Sequence, residues 1–411
     1  MDSLKRQPHC EKATYAENIC VNPLKYAENN LYICSIMKMV KYIYEYSSWP
    51  NFTWNEKEIQ EILGKVRHLQ GKVFGQINAL GFSLKEETML SALTLDVLKS
   101  SEIEGEILNY EQVRSSIARR LGLDYAGMIY SDRYVEGVVE MMLDATQNYQ
   151  QTLDNERLFG WHAALFPTGR SGVHKIDAGC YRNGIMQVVS GPMGKEKIHY
   201  QAPSPEKVKD EMDMFLNWFN SDTKLDPVIK SAIAHFWFII IHPFDDGNGR
   251  IARALSDLLL AHSDGSSQRF YSLSSQISLE RKVYYAVLQK VQHNDGDITE
   301  WLYWFLNCLY RALKNTEETM DKALYKADFW DKHKDSVLNS RQRLMLNKLF
   351  DGFKGKLKSS KWAKITKCSS DTALRDIKDL IEKGILKQEE SGGRSTNYEL
   401  NEFKNTGASH V

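Results

Sequence analysis

The stretch "HPFDDGNGR", residues 242–250, gathers a histidine, two adjacent carboxylates, two glycines around an asparagine and an arginine into nine positions. Each type suits the handling of phosphate. A helix starting just after such a loop presents unpaired N–H groups and the positive end of its dipole, which together make an anion site. Gly247 and Gly249 let the backbone approach a phosphate closely. Arg250 and Arg253 stand three apart and share one helix face, and two guanidiniums beside such a nest suit a polyphosphate better than a single carboxylate. Asp246 is a hard oxygen ligand placed where a magnesium ion bridging nucleotide phosphates would need one. His242 can stay neutral near pH 7 and accept a proton from an incoming hydroxyl. The conjunction points to phosphoryl or nucleotidyl transfer.

Two apolar segments must position this loop. "AIAHFWFIII" before it and "IARALSDLLL" after it read as buried helices. Apolar residues recur at helical spacing from Trp54 to about Leu121, with Ile59, Ile62, Leu63, Val66 and Leu69 as one stripe. A second helical block is expected from about Tyr130 to Leu153, continued by "ERLFGWHAALF" to Phe166. "GCYRNGIMQVVSGPMGKEKIHYQAPSP" then alternates apolar and polar residues around Gly191, Pro192 and Gly194, which predicts a hairpin. Helices resume at Pro205 and run to about Thr316.

The 411 residues can form two or three domains with a substantial core. Lys plus Arg and Asp plus Glu number 53 each, so no global field draws nucleic acid or an anionic membrane, and any such binding is local. The longest apolar run is about half of the roughly 20 residues a membrane helix needs, and no signal segment opens the chain, so a cytoplasmic protein without membrane contact is expected. Cys10, Cys20, Cys34, Cys180, Cys308 and Cys368 form no close pairs of the kind that mark zinc or redox sites. Residues 1–36 hold three of the six and lack sustained apolar periodicity. They read as a poorly ordered leader or as sequence ahead of a true start at Met37 or Met39.

"HPFDDGNGRIAR" resembles the full Fic signature, HxFx(D/E)GNGRxxR, at every specified position, and the resemblance extends over about 105–315. It implies a mainly α fold with a Fic-type helical core and a small β-hairpin flap, and AMP transfer from ATP to a Tyr, Ser or Thr hydroxyl of a protein. By that likeness His242 deprotonates the target hydroxyl, Phe244 anchors the loop, and Asp246 holds Mg2+. Gly247, Asn248 and Gly249 cradle phosphate oxygens, and Arg250 and Arg253 contact the terminal phosphates. The hairpin at about 186–200, with Val189, Ser190 and Gly191, matches the flap that takes an extended stretch of target protein by strand addition. Tyr284 and Tyr285 stand where family members contact the nucleoside, with Gln292 where some carry Asn. Self-modification and a homodimer both stay open.

"SSEIEGE", residues 100–106, ends a helix expected to begin near Lys85, with Gly105 as its stop. Ser100 and Glu104 share a face. The segment resembles the family's inhibitory motif, (S/T)xxxE(G/N), which implies that Glu104 pairs with Arg253 and blocks productive γ-phosphate binding. The same glutamate could orient water for removal of AMP instead. The segment from about Met39 to Leu98 resembles the helical region found ahead of Fic cores in bacterial proteins; 37–121 would form the N-terminal helical region with the inhibitory helix, and 122–316 the core itself. Core anchoring is the expected role of the aromatic "YIYEYSSWPNFTW".

Residues 335–402 read as a separate unit, three helices and a hairpin, resembling a winged helix. Ser369 or Ser370 caps the third helix, Leu374, Ile377, Leu380 and Ile381 form its apolar face, and Gly384 ends it. From residue 335 onward 15 Lys plus Arg face 10 Asp plus Glu, and Lys354, Lys356, Lys358, Lys361, Lys364 and Lys367 crowd the second helix. Such a unit could place its third helix in a DNA groove and its wing, around Arg394, on the backbone. Asp371, Asp376, Asp379 and Glu382 on that helix oppose this, so DNA and a protein partner both stand as candidates.

Overall fold

A computed structural model describes residues 19–20, 41–79, 82–123, 128–190, 197–350, 353, 355–389 and 396–401. The chain divides into two compact units, 1–316 and 317–411. Gly191 and Arg394 lie outside the described residues, as does the 1–36 leader apart from Ile19 and Cys20.

The first unit begins with a two-residue strand, β1 (Ile19–Cys20), and five helices: α1 (Glu56–Asn78), α2 (Phe82–Ile103), α3 (Tyr110–Arg120), α4 (Arg133–Gln147) and α5 (Asn155–Leu165). Four short strands follow, β2 (Arg170–Ser171), β3 (His174–Lys175), β4 (Gln187–Ser190) and β5 (Lys197–Gln201). Then come α6 (Pro205–Asn220), α7 (Pro227–Ile241), α8 (Asn248–Asp264), α9 (Leu273–Leu279), α10 (Arg281–Val291) and the first part of α11 (Thr299–Lys332), a helix that runs on past the unit's last residue, Thr316.

The pair α7 and α8 forms the centre. Pro227 occupies the first turn of α7 and Asp226 caps it by accepting from Val228 N–H, which starts the helix where an orphan donor would otherwise remain. Apolar residues on all sides of α7 are buried, from Val228 through Ile233, Phe236 and Phe238 to Ile241. A helix apolar all round belongs in a core. Trp49 and Phe52 pack edge-on against Trp237 and Phe236, which is the anchoring expected of the aromatic N-terminal segment.

The block expected from Tyr130 to Phe166 is two helices. Asp154 accepts from Arg157 N–H and starts α5 afresh after a break at 148–154. Local capping overrides helical propensity there. α2 begins at Phe82, a turn earlier than Lys85, and α11 continues past Thr316 to Lys332. β4 and β5 pair antiparallel with a register shift between Val188 and Val189, and β1 lies on the other edge of β4.

In the second unit α12 (Ser340–Phe350), α13 (Ser359–Thr366) and α14 (Ser370–Glu382) precede an antiparallel pair, β6 (Leu386–Gln388) and β7 (Tyr398–Leu400). Ser369 supplies the cap of α14 through Thr372 N–H. Trp362, Met345, Leu346, Ile377, Leu380 and Leu386 make the core. Leu374 does not join it: the stripe runs through Ala373, Ile377 and Leu380, at i, i+4 and i+7, and leaves Leu374 36% exposed. Among the described residues no helix is long and apolar enough to cross a membrane.

Candidate active site

His242 is the C-cap of α7 and adopts the left-handed conformation, φ 50° and ψ 60°. For a residue with a Cβ this costs roughly 1–2 kcal/mol, so its surroundings must hold it. They do so through the helix-end carbonyls. Tyr200 Oη donates to Ile240 O at 2.5 Å, and Arg182 Nε donates to His242 O at 2.8 Å. Nδ1 of His242 lies 3.1 Å from Ile239 O. A carbonyl only accepts, so Nδ1 carries the proton and Nε2 is left with a lone pair. Burial pushes the imidazole pKa down to about 4, which keeps that lone pair free at neutral pH.

Phe244 is fully buried, its ring stacked on His162 at 4.2 Å between centroids. The Asn248 side chain accepts from Phe244 N–H at 3.0 Å and donates to Phe244 O at 2.8 Å. Asn248 thereby shapes the loop with its side chain. Gly247 caps α8 at φ 79°, where a Cβ would come within 3.0 Å of the Phe166 ring. Asp246 accepts from Ser171 Oγ and, at 2.5 Å, from Gly247 N–H.

The two loop arginines are buried, each 1% exposed, and each meets a carboxylate from the end of α2. Arg253 donates Nε to Ser100 Oγ at 2.9 Å, and Nη2 to Ser100 O and to Glu104 Oε1, both at 2.7 Å. Arg250 donates Nη1 to Glu106 Oε2 at 2.6 Å and to Tyr134 Oη at 2.5 Å. Gly105, at φ 87°, makes the turn that lets two carboxylates two residues apart reach two different arginines. Burial raises the Glu106 pKa; Arg250 opposes this, while Asp246 and Glu104 add to it. Among the described residues Arg250 Nε and Arg253 Nη1 meet no acceptor in bonding geometry. A Cβ on Gly249 would meet Glu104 Oε1 at 2.1 Å. The glutamate therefore stands directly over the first turn of α8.

Among the described residues no group of three or more His, Cys, Asp or Glu could hold a metal ion. A single carboxylate such as Asp246 would suit magnesium, which takes one or two carboxylates and draws its other ligands from phosphate and water.

The expected nucleoside contacts lie less openly. Tyr284 is buried and its hydroxyl stands 2.9 Å from His235 Nε2, while His235 Nδ1 meets Ser256 Oγ at 2.9 Å. Tyr285 is partly exposed, beside Arg281. Gln292 donates to His199 O at 2.7 Å and so ties α10 to β5. Val189 and Ser190 lie on β4. Sequence reasoning missed Glu106, Tyr134, Arg182 and Tyr200. "SSEIEGE" contained Glu106 in plain view, and an acidic residue just past a helix-stopping glycine was the available signal.

Residues 152–260 match the Fic/DOC family, and residues 42–123 match a domain of unknown function, DUF4172. The chain is 25% identical over 267 residues to the protein adenylyltransferase Fic of Nematostella vectensis, covering 62% of this chain and 55% of that one. It is 27% identical over 240 residues to the protein of the same name from Drosophila virilis, covering 56% and 42%. The chain thus spans about half the length of the curated relatives it matches. A solved Fic family protein from Desulfovibrio desulfuricans G20 is similar over 88% of this chain and 99% of its own, at 21% identity and a TM-score of 0.48. Fold and site together define a mainly helical protein built round the turn between α7 and α8. Within it, residues 152–260 are similar to the Fic/DOC domain.

Proposed function

We propose that the protein transfers AMP from ATP to a Tyr, Ser or Thr hydroxyl of a protein, with Glu104 holding the activity low. One observation carries the reading. A neutral imidazole with a free Nε2 stands beside a helix N-terminus whose two buried arginines are met by carboxylates where phosphates would bind. The name of the curated relatives, protein adenylyltransferase, supports it.

In the reaction His242 Nε2 takes the proton of the target hydroxyl, whose oxygen attacks the α-phosphorus. The bond to the β-phosphate oxygen breaks, giving a phosphodiester on the protein and free pyrophosphate. The α8 amides and Arg250 and Arg253 take up charge on the departing pyrophosphate. Magnesium, held by Asp246, would supply charge neutralisation between the phosphates. The target strand would dock on the edge of the β4–β5 hairpin that β1 leaves open. The protein itself is among the candidate targets.

With magnesium present, label should enter protein from ATP marked at the α-phosphate and not from ATP marked at the γ-phosphate. Equal labelling from the γ-position would contradict the reading. Removal of AMP from a modified protein is the second reading, favoured by the position of Glu104. Its carboxylate lies over Gly249 with its side chain 27% exposed, where it could orient a water. Release of AMP from a pre-labelled protein, lost in Glu104→Gly, tests it.

The second unit resembles a winged helix, and its ion pairs bear on the partner. Asp376 is bound by Arg341 at 2.7 Å and Asp379 by Lys383 at 2.6 Å, so two of the four acids on α14 are already neutralised. DNA affinity falling steeply with salt would assign it a phosphate partner; salt-independent capture of protein would assign the other.

A further inference from the structure

Arg182 is 2% exposed, and its guanidinium reaches three separate segments. Nη1 donates to Gly184 O at 2.8 Å, just ahead of β4. Nη2 donates to Pro203 O at 2.6 Å, just beyond β5. Nε donates to His242 O at 2.8 Å, while Nη2 also lies 3.4 Å from Ile241 O. The backbone N–H of Arg182 donates to Pro243 O at 2.9 Å. One planar fork thus joins both ends of the β4–β5 hairpin to the turn that carries the base.

Tyr200 repeats the link from within β5, through its 2.5 Å bond to Ile240 O. The carbonyls of residues 240, 241 and 242, which a helix leaves unpaired at its C-terminal end, are therefore all met by side chains of the hairpin and its stem. A cation at that end is favourable in any helix, and one carbonyl would suffice for it. Contacts to Gly184 and Pro203 do something more, since they fix the hairpin stem at a set distance from His242.

We propose that Arg182 is a positioning residue that holds the flap, and the target hydroxyl docked on it, in register with Nε2 of His242. The inference rests on the AMP-transfer reading above. A general base works only within hydrogen-bond reach of its proton, and small misplacements of reacting groups are expensive. The hydroxyl arrives on one element and the base sits on another, so their separation must be set by whatever joins the two. Lysine could keep the charge at this position, but its point-like ammonium could not span the three segments.

The test uses the full chain in the Glu104→Gly background, with Arg182→Lys and Tyr200→Phe added singly. Affinity for a non-hydrolysable ATP analogue and the rate of AMP transfer to protein are measured side by side. Arg182→Lys is expected to lower kcat for transfer by about 10- to 100-fold while nucleotide affinity stays within about twofold. Tyr200→Phe, which deletes one hydroxyl and keeps the ring, should show the same split more mildly. An unchanged kcat, or a loss of kcat matched by an equal loss of nucleotide affinity, overturns the proposal. Should Arg182→Lys fail to melt cooperatively, Tyr200→Phe decides by the same criterion. If the Glu104→Gly parent labels no protein, the functional reading fails and the inference falls with it. If the parent labels and both variants label equally well, the inference alone falls.

Discussion

Glu106 Oε2 lies 2.6 Å from Arg250 Nη1, two residues beyond the carboxylate that holds Arg253. The end of α2 therefore engages both loop arginines. Freeing Arg253 by Glu104→Gly leaves Arg250 still shared between Glu106 and Tyr134. Adding Glu106→Gln to Glu104→Gly should strengthen ATP binding by about three- to tenfold over the single variant, a modest gain because the Glu106 side chain is 34% exposed and its pair is screened. Calorimetric titration with ATP measures this. Equal affinities for the single and double variants would show that Glu106 does not compete with phosphate.

Gly249 is where the glutamate and a phosphate would compete for the same space. A methyl group there would sit 2.1 Å from Glu104 Oε1, and that carboxylate, at the end of a flexible side chain, can move away. Gly249→Ala should thus expel Glu104 without raising activity, because the methyl also bars close approach of phosphate to the α8 amides. In the Glu104→Gly background we expect it to weaken ATP binding by about tenfold or more. Undiminished affinity would mean that phosphate does not approach this turn.

Three buried histidines make stability depend on pH. Burial pushes His162 and His242 down to about 4 and His235 to about 3, against an unfolded value near 6.5. A group with a depressed histidine pKa binds its proton in the unfolded chain first. Its contribution is therefore complete above pH 6.5 and declines as pH falls towards the folded value. Between pH 4.5 and 5.5 His235→Asn should flatten the dependence of unfolding free energy on pH by about one proton, or about 1.4 kcal/mol per pH unit. Denaturant titrations across that window measure the slope, and parallel curves for variant and wild type would contradict the assignment.

Phe244 ties the loop to the core through its stack on His162. Phe244→Ala removes a fully buried ring and should cost about 3–5 kcal/mol, lowering the melting temperature and ATP affinity together. A melting temperature within a degree or two of wild type would show that the loop is held by the Asn248 bonds alone.

The loop was legible because its chemistry is local. His242, Asp246, Gly247, Asn248, Gly249, Arg250 and Arg253 stand within twelve residues, and the flanking apolar runs announce two buried helices. The pairing of Glu104 with Arg253, 149 residues apart, came from family likeness, since no period or spacing in the sequence joins them. Arg182 was missed for the same reason: 60 residues separate it from His242, and a single arginine in a hairpin-like stretch gives no sign that it turns inward. The break before α5 was within reach, because Asp154 ahead of Asn155 and Glu156 is an N-cap signal, but unbroken apolar spacing masked it. Leu374 was misplaced because small Ala373 takes the core position that a larger neighbour was expected to fill.

The most direct test of AMP transfer under internal restraint compares three full-length proteins with magnesium and ATP labelled at the α-phosphate. These are the wild type, Glu104→Gly, and Glu104→Gly combined with His242→Ala. Strong labelling of protein by Glu104→Gly, weak labelling by the wild type and none by the double variant is the predicted result. Labelling that survives His242→Ala, or that is no stronger in Glu104→Gly than in the wild type, would contradict it.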